Sequence, residues 1–232
     1  MHGATLPRFR PNYLQNTICR INQESITLPI NKSWIFMSKA MTTRMTILQK
    51  AFELIYTKGY QTTSIDEIIA TTKVTKGAFY YHFKTKDEMG LAIIEEIVRP
   101  TMQESFITPL SGSTDPLNDI YTMTRHLLLE NPFLTVEHGC PAGNLTQEMT
   151  PWNHAFSEAL SSIINQWKAT IEEVLENGKT SGTVNPNVNS QQVAYFIMSG
   201  YWGIRNFGKL DNKKDSYYPY LEELKRYLDG LK

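Results

Sequence analysis

Two phenols, two ammonium groups and a glycine recur at helical spacing in Thr75-Lys76-Gly77-Ala78-Phe79-Tyr80-Tyr81-His82-Phe83-Lys84. On a helical wheel of about 100° per residue, Phe79 and Phe83 share one face, while Gly77, Tyr80, Tyr81 and Lys84 point away from it. Hydroxyl-tipped rings beside lysines suit a sugar-phosphate wall, where the hydroxyl donates to phosphate and the ring packs on the sugar. Gly77 would let the backbone approach a groove closely. At the amino end, Thr75, Lys76 and Ala78 are the candidates for base edges: Lys76 for guanine acceptors, the methyls of Thr75 and Ala78 for thymine.

Such a helix reads a groove only if other elements hold it there. Ile47, Leu48, Ala51, Phe52 and Ile55 form the apolar stripe of a preceding amphipathic helix that Gly59 ends. Ser64-Ile65-Asp66-Glu67 is a capping box that opens a second, short helix with Ile65, Ile68 and Ile69 facing inward. That helix runs out near Thr72, three or four residues before the helix that begins at Thr75, and so tight a turn between short helices reads as helix-turn-helix. A second box, Thr85-Lys86-Asp87-Glu88, opens a fourth helix through Leu91, Ile94 and Val98, predicted to end at Pro100.

The stretch from Arg44 to Ile94 resembles the DNA-binding domain of TetR/AcrR-type repressors, in particular at Ala51-Phe52-Glu53-Leu54, Lys58-Gly59-Tyr60, Thr63-Ser64-Ile65, Ile68-Ile69-Ala70 and Val74 through Lys86. The resemblance covers about 50 residues. It implies an all-α regulator: a three-helix helix-turn-helix domain, then a larger helical domain that dimerises and binds a small effector. It further implies contacts to operator DNA from Thr75, Lys76, Gly77, Ala78, Tyr80 and Tyr81, with Lys86 on a phosphate and Thr63 and Ser64 at the amino end of the second helix. The sequence departs from the family where Thr72 and Lys73 replace the usual small residue and glycine before the turn.

The second half divides into helices separated by short breakers. One is capped by Thr114-Asp115-Pro116 and ends at Asn131-Pro132. A long one runs from about Asn153 to Asn177, with Gly178 and Gly182 marking its end. Two more cover about Ser190–Asn206 and Tyr217–Leu228, and by resemblance these pair with their copies in a homodimer. A two-fold dimer supplies the specificity that one helix-turn-helix lacks, because it reads two half-sites in successive major grooves, so a pseudo-palindromic operator is expected. Candidate walls for a small-molecule effector are Phe106, Tyr121, Met123, Phe133, Met149, Trp152, Trp167, Tyr195, Met198 and Trp202. Each is a large apolar or aromatic side chain that equally suits a core.

Gly139-Cys140-Pro141-Ala142-Gly143-Asn144-Leu145 resembles a short Gly-Cys-x-x-x-Asn-Leu element found in one branch of the same family. Cys140, two residues after His138, opens a rival reading as a thiol-based redox or electrophile sensor, against a small buried cysteine. A metal sensor built on His138, Cys140 and His154 matches no compact ligand spacing. Neither a metal nor a cofactor is expected.

Composition bounds the remaining classes. The 232 residues balance 23 basic against 23 acidic side chains, yet the charge is unevenly placed. Residues 1–40 hold five basic groups and one acid, and residues 41–90 seven and five, leaving 11 and 17 for the rest. An electropositive end on an acidic body is compatible with phosphate. The organisation expected is therefore 1–40 as a disordered extension or a misassigned start, 41–100 as the DNA-binding domain, and 101–232 as the effector and dimerisation domain. Without an apolar run of 18 or more the chain has no expected membrane span, and with two cysteines it fits a reducing cytoplasm. An enzyme is not expected: no Gly-rich phosphate loop, Gly-x-Ser-x-Gly elbow or His-Glu-x-x-His occurs, and Glu172 and Glu173 point apart on a helix. A helical adaptor that does not touch DNA is the remaining alternative.

Overall fold

A computed structural model describes residues 39–232, so the expectations for residues 1–38 lie outside the described residues. The stripe of Ile47, Leu48, Ala51, Phe52 and Ile55 is buried on α1 (Lys39–Lys58), which stops where Gly59 takes φ +95°. Three hydroxyls then set three helix starts. Ser64 Oγ accepts the Glu67 amide at 3.1 Å to open α2 (Ile65–Thr72), and Thr75 Oγ1 accepts the Ala78 amide at 3.2 Å to open α3 (Lys76–His82). Thr85 Oγ1 accepts the Glu88 amide at 3.0 Å to open α4 (Lys86–Ile93). Each such cap contributes about 1 kcal/mol, a large share of the stability of helices this short.

The turn between α2 and α3 has an unusual solution. Lys73 adopts the left-handed conformation, φ 58° and ψ 16°, and so does the work of the glycine expected there. Phe79 and Phe83 are fully buried with ring centroids 5.9 Å apart. Arg44 of α1 lies over the Phe83 ring at 4.4 Å, donates to Glu96 at 2.5 Å and to the His82 carbonyl at 3.3 Å, and thereby ties the carboxyl end of α3 to two neighbours.

Pro100 does not end the fourth helix. The chain passes from α4 through a π-turn at Ile94–Val98 into α5 (Arg99–Met102), then through a second π-turn at Gln103–Ile107 and a 3₁₀ turn at Thr108–Leu110. The wider π register removes the need for the amide that proline lacks, and the rod continues through it.

The remaining helices are α6 (Pro116–Leu129), α7 (Pro141–Met149), α8 (His154–Ser181), α9 (Ser190–Asp211) and α10 (Tyr217–Asp229). Gly178, expected at the end of the long helix, lies inside α8, where a Cβ would meet Val184 at 2.5 Å and Pro116 at 2.7 Å; Gly182, at φ +78°, is the cap. Close packing rather than termination accounts for Gly178. α8 and α9 lie against each other, and Phe106, Trp167 and Tyr201 interlock edge to face between them, with centroids 5.0 to 5.6 Å apart. The fold is all-α, with no strand among the described residues. None of the described helices is long and apolar enough to cross a membrane.

Candidate nucleic-acid interface and the cavity behind it

The caps and the Phe79–Phe83 pair fix the rotation of α3, and that rotation decides which side chains face outward. Tyr81 is 74% exposed, Lys76, Gly77 and Lys84 are exposed, and no atom stands within 4 Å of where a Gly77 Cβ would lie. Tyr80 is only 37% exposed, because its ring packs edge-on against Phe79 at 5.4 Å. Thr75 is exposed but its hydroxyl is engaged in the cap, and Ala78 is half-buried. The outer face of α3 therefore carries Lys76, Gly77, Tyr81 and Lys84, with Tyr80 at its margin.

Neighbouring groups hold the cations until a ligand arrives. Lys76 Nζ lies 3.1 Å from Asp66 on α2, and this ion pair raises the lysine pKa, so the ammonium stays charged. Both side chains are well exposed, hence the pair is weak and readily exchanged for phosphate. Lys84 donates to the Tyr80 carbonyl at 3.0 Å. Lys86 lies over the Tyr60 ring at 4.4 Å, and its partial burial pushes its pKa down. Ser64 is exposed at the start of α2. Thr63 is not brought to the surface: it is buried and its hydroxyl donates to the Gly59 carbonyl at 2.8 Å.

Side chains from the second half reach the three-helix unit at two places. The Glu148 carboxylate near the end of α7 accepts the Tyr60 amide at 2.8 Å and the Gln61 amide at 2.5 Å, on the turn between α1 and α2. Tyr56 of α1 donates to the Gly139 carbonyl at 2.7 Å, and Phe133 stacks on Phe52 with centroids 5.2 Å apart.

The ten candidate effector residues are not gathered around one space. Phe106, Met123, Phe133, Met149, Trp167 and Met198 are buried in packed core, whereas Trp152 and Tyr195 are exposed on the surface. Tyr121 is half-buried under Lys225, whose ammonium lies 5.3 Å from its ring. Trp202 differs, because it lines a cavity of about 70 Å³ between α7 and α9 together with Cys140, Gly143, Thr146 and Arg205. An open polar groove of about 490 Å³ beside Glu172, Glu176 and Lys179 involves none of the ten.

Cys140 is buried at this cavity. Burial pushes its thiol pKa up, against the partly compensating Gly143 amide and Arg205, so the sulfur is held as a neutral thiol. His138, Cys140 and His154 do not form a metal-ligand group, and no cluster of three His, Cys, Asp or Glu side chains able to hold a metal ion occurs among the described residues.

Arg205 is the residue that sequence reasoning passed over. Only 1% exposed, it donates to the Leu134 carbonyl at 3.4 Å, to the Thr135 carbonyl at 2.9 Å and to the Gly139 carbonyl. No local pattern marks an arginine whose partners are all loop carbonyls some seventy positions away. The available signal was that position 205 falls on the buried stripe of α9, one turn beyond Tyr201.

A capped helix-turn-helix with an aromatic and basic outer face, joined to a helical second half, defines a helix-turn-helix transcriptional regulator. Residues 47–93 match the model of bacterial regulatory proteins of the tetR family, and residues 121–222 match the tetracyclin repressor-like C-terminal domain. The chain is 32% identical over 133 residues to an uncharacterized HTH-type transcriptional regulator in the lacX 3′ region of Lactococcus lactis subsp. lactis, covering 57% of this chain and 68% of that protein. It is 25% identical over 191 residues to the transcriptional regulator AcuR of Cereibacter sphaeroides, covering 81% and 86%. Among solved structures, a TetR transcriptional regulator from Chloroflexus aurantiacus J-10-FL superimposes with a TM-score of 0.75 at 24% identity, covering 83% of this chain and 97% of that one. The chain belongs to the TetR family of transcriptional regulators, DNA-binding proteins that are not enzymes.

Proposed function

We propose that this regulator is a dimeric repressor that reads a pseudo-palindromic operator with α3 and leaves it when a small molecule binds the helices behind. The observation that carries the reading is the outer face of α3, where Lys76, Gly77, Tyr81 and Lys84 stand on a helix whose rotation is set by two buried phenylalanines. Lys76 serves base or phosphate, Gly77 admits close approach, and Tyr81 packs on sugar and phosphate. Ser64, Thr75, Ala78, Tyr80 and Lys86 are assigned supporting contacts, Thr63 only through its backbone.

Dimerisation is assigned to α9 and α10. Phe207, Leu210 and Tyr218 are each more than half exposed there, an apolar group that a partner copy would cover. Two recognition helices then meet successive major grooves about 34 Å apart. An effector acts by preferring a conformation in which that spacing is lost, and the Glu148 and Tyr56 contacts are the links that would carry the change to α1 and α2.

Selection of bound duplexes from a random DNA library, at two salt concentrations, tests the reading. A palindromic motif with steeply salt-dependent affinity is expected. Absence of any enrichment at low salt would favour a helical adaptor that does not touch DNA.

A further inference from the structure

Arg205 carries a full charge in the interior and has no carboxylate within ion-pair distance among the described residues. Its three hydrogen bonds all go to neutral carbonyls, and its Nε–H has no acceptor. The hydroxyls of Tyr201 and Tyr217, both fully buried, also lack partners. A guanidinium removed from water normally keeps an anion beside it, because carbonyl dipoles replace only part of its lost hydration.

The space beside Arg205 suits such an anion. The α7–α9 cavity measures about 70 Å³, and a water-sized group needs about 10–15 Å³ by that measure, so it takes roughly five non-hydrogen atoms. Its walls bring donors together with an apolar surface: Arg205 from α9, the amino end of the nine-residue α7 at Ala142 and Gly143, and the indole of Trp202, whose N–H faces the Cys140 sulfur. Free amides at a helix start favour negative charge, and the half-buried indole offers an apolar wall.

We propose that this cavity binds a short-chain monocarboxylate of two to four carbons, with the carboxylate on Arg205 and the alkyl end on Trp202, and that its binding is transmitted to the DNA-binding helices. The transmission claim rests on the effector-controlled reading above. A carboxylate accepts a stronger hydrogen bond from guanidinium than a neutral carbonyl does, so it competes with Gly139 for Arg205. The Gly139 carbonyl is also the acceptor for Tyr56 on α1. α7 supplies a second route, since its amino end lines the cavity while Glu148 near its other end holds the amides of Tyr60 and Gln61.

Calorimetric titration of the full chain with sodium propionate, at constant ionic strength, tests the site, with propionamide as the neutral isostere. Propionate should bind at least about tenfold more tightly than propionamide and raise Tm. Arg205→Met should lose binding. Because that variant also unclamps the 134–139 loop and can fail to fold, Thr146→Met, which fills the cavity and leaves Arg205 in place, is the second variant: it should keep the wild-type Tm and lose propionate. Equal affinity for propionamide, or no heat from folded wild-type protein, overturns the site.

Operator binding followed by anisotropy tests the transmission. Saturating propionate should weaken wild-type binding at least about fivefold and leave Thr146→Met unaffected. Operator binding indifferent to bound propionate overturns the transmission while leaving DNA recognition intact. Failure to bind DNA under any condition overturns the functional reading instead, and calorimetry still decides the site.

Discussion

Tyr56 and Arg205 donate to one and the same carbonyl, that of Gly139, although they lie 149 positions apart on α1 and α9. Gly139 sits at φ +71°, in the left-handed region that a side chain disfavours. One strained glycine thus carries a hydrogen bond from the helix under the DNA-binding unit and another from the helix assigned to the dimer interface. Tyr56→Phe keeps the stacking on Phe52 and Phe133 and removes only the hydroxyl. Urea unfolding should show a loss of about 1 kcal/mol; an unchanged midpoint would mean that the shared carbonyl contributes nothing.

The same tyrosine sets an alkaline limit. Burial pushes the pKa of Tyr56 from 10.0 up to about 12, and burial does the same to Tyr220. The raised folded-state pKa means that the folded chain retains the phenol protons longer than the unfolded one, so this stability is fully present below pH 10 and is lost as pH rises through about 12. Thermal unfolding followed against pH should show the fall across that window, shallower in Tyr56→Phe. A fall of equal depth in the variant would assign it to other groups.

Lys73 offers a stabilising substitution. It holds a left-handed conformation at φ 58° without the freedom of glycine, at a cost of about 1 kcal/mol. Lys73→Gly should raise the urea midpoint by a few tenths to about 1 kcal/mol of stability, part of the gain being offset by the greater entropy of the unfolded chain. A drop in stability would show that the lysine side chain has a compensating role.

Two helical glycines should respond in opposite ways to alanine. A Cβ on Gly90 would lie 2.5 Å from the Phe156 ring and 2.7 Å from the Tyr60 ring, so Gly90→Ala should destabilise by about 1–3 kcal/mol. Gly77 faces open space, and Gly77→Ala should stabilise α3 by up to about 1 kcal/mol while weakening operator binding. Measuring Tm and DNA affinity on both proteins separates the roles. Unchanged operator affinity in Gly77→Ala would remove that glycine from the interface.

The assignment of α9 and α10 to the dimer is tested by charge. Phe207 is 61% and Leu210 80% exposed, so Phe207→Glu with Leu210→Glu should cost the single chain little. Sedimentation should report a monomer with weakened operator binding. A dimer that survives both changes would place the interface elsewhere.

The parts of the fold legible in the sequence are those written in local chemistry. Ser64, Thr75 and Thr85 cap the helices that their spacing predicts, and the wheel of α3 correctly buries Phe79 and Phe83 and exposes Tyr81. What escaped depends on distant partners. Pro100 passes through a helix because the backbone shifts to π register, and Gly178 is demanded by Val184 and Pro116 rather than by a helix end. Most effector candidates were chosen for being large and apolar, and the core uses the same residue types; the buried charge of Arg205 has no counterpart in the local sequence.

Hydroxyl-radical footprinting of the protein on a duplex selected from the random library tests most directly that two copies of α3 read DNA. The expected pattern is two protected patches related by two-fold symmetry, their centres about one helical turn of about 10 base pairs apart. Both patches should disappear together in Lys76→Ala combined with Tyr81→Phe, with the fold intact. A single patch, or protection that persists in the double variant, would contradict it.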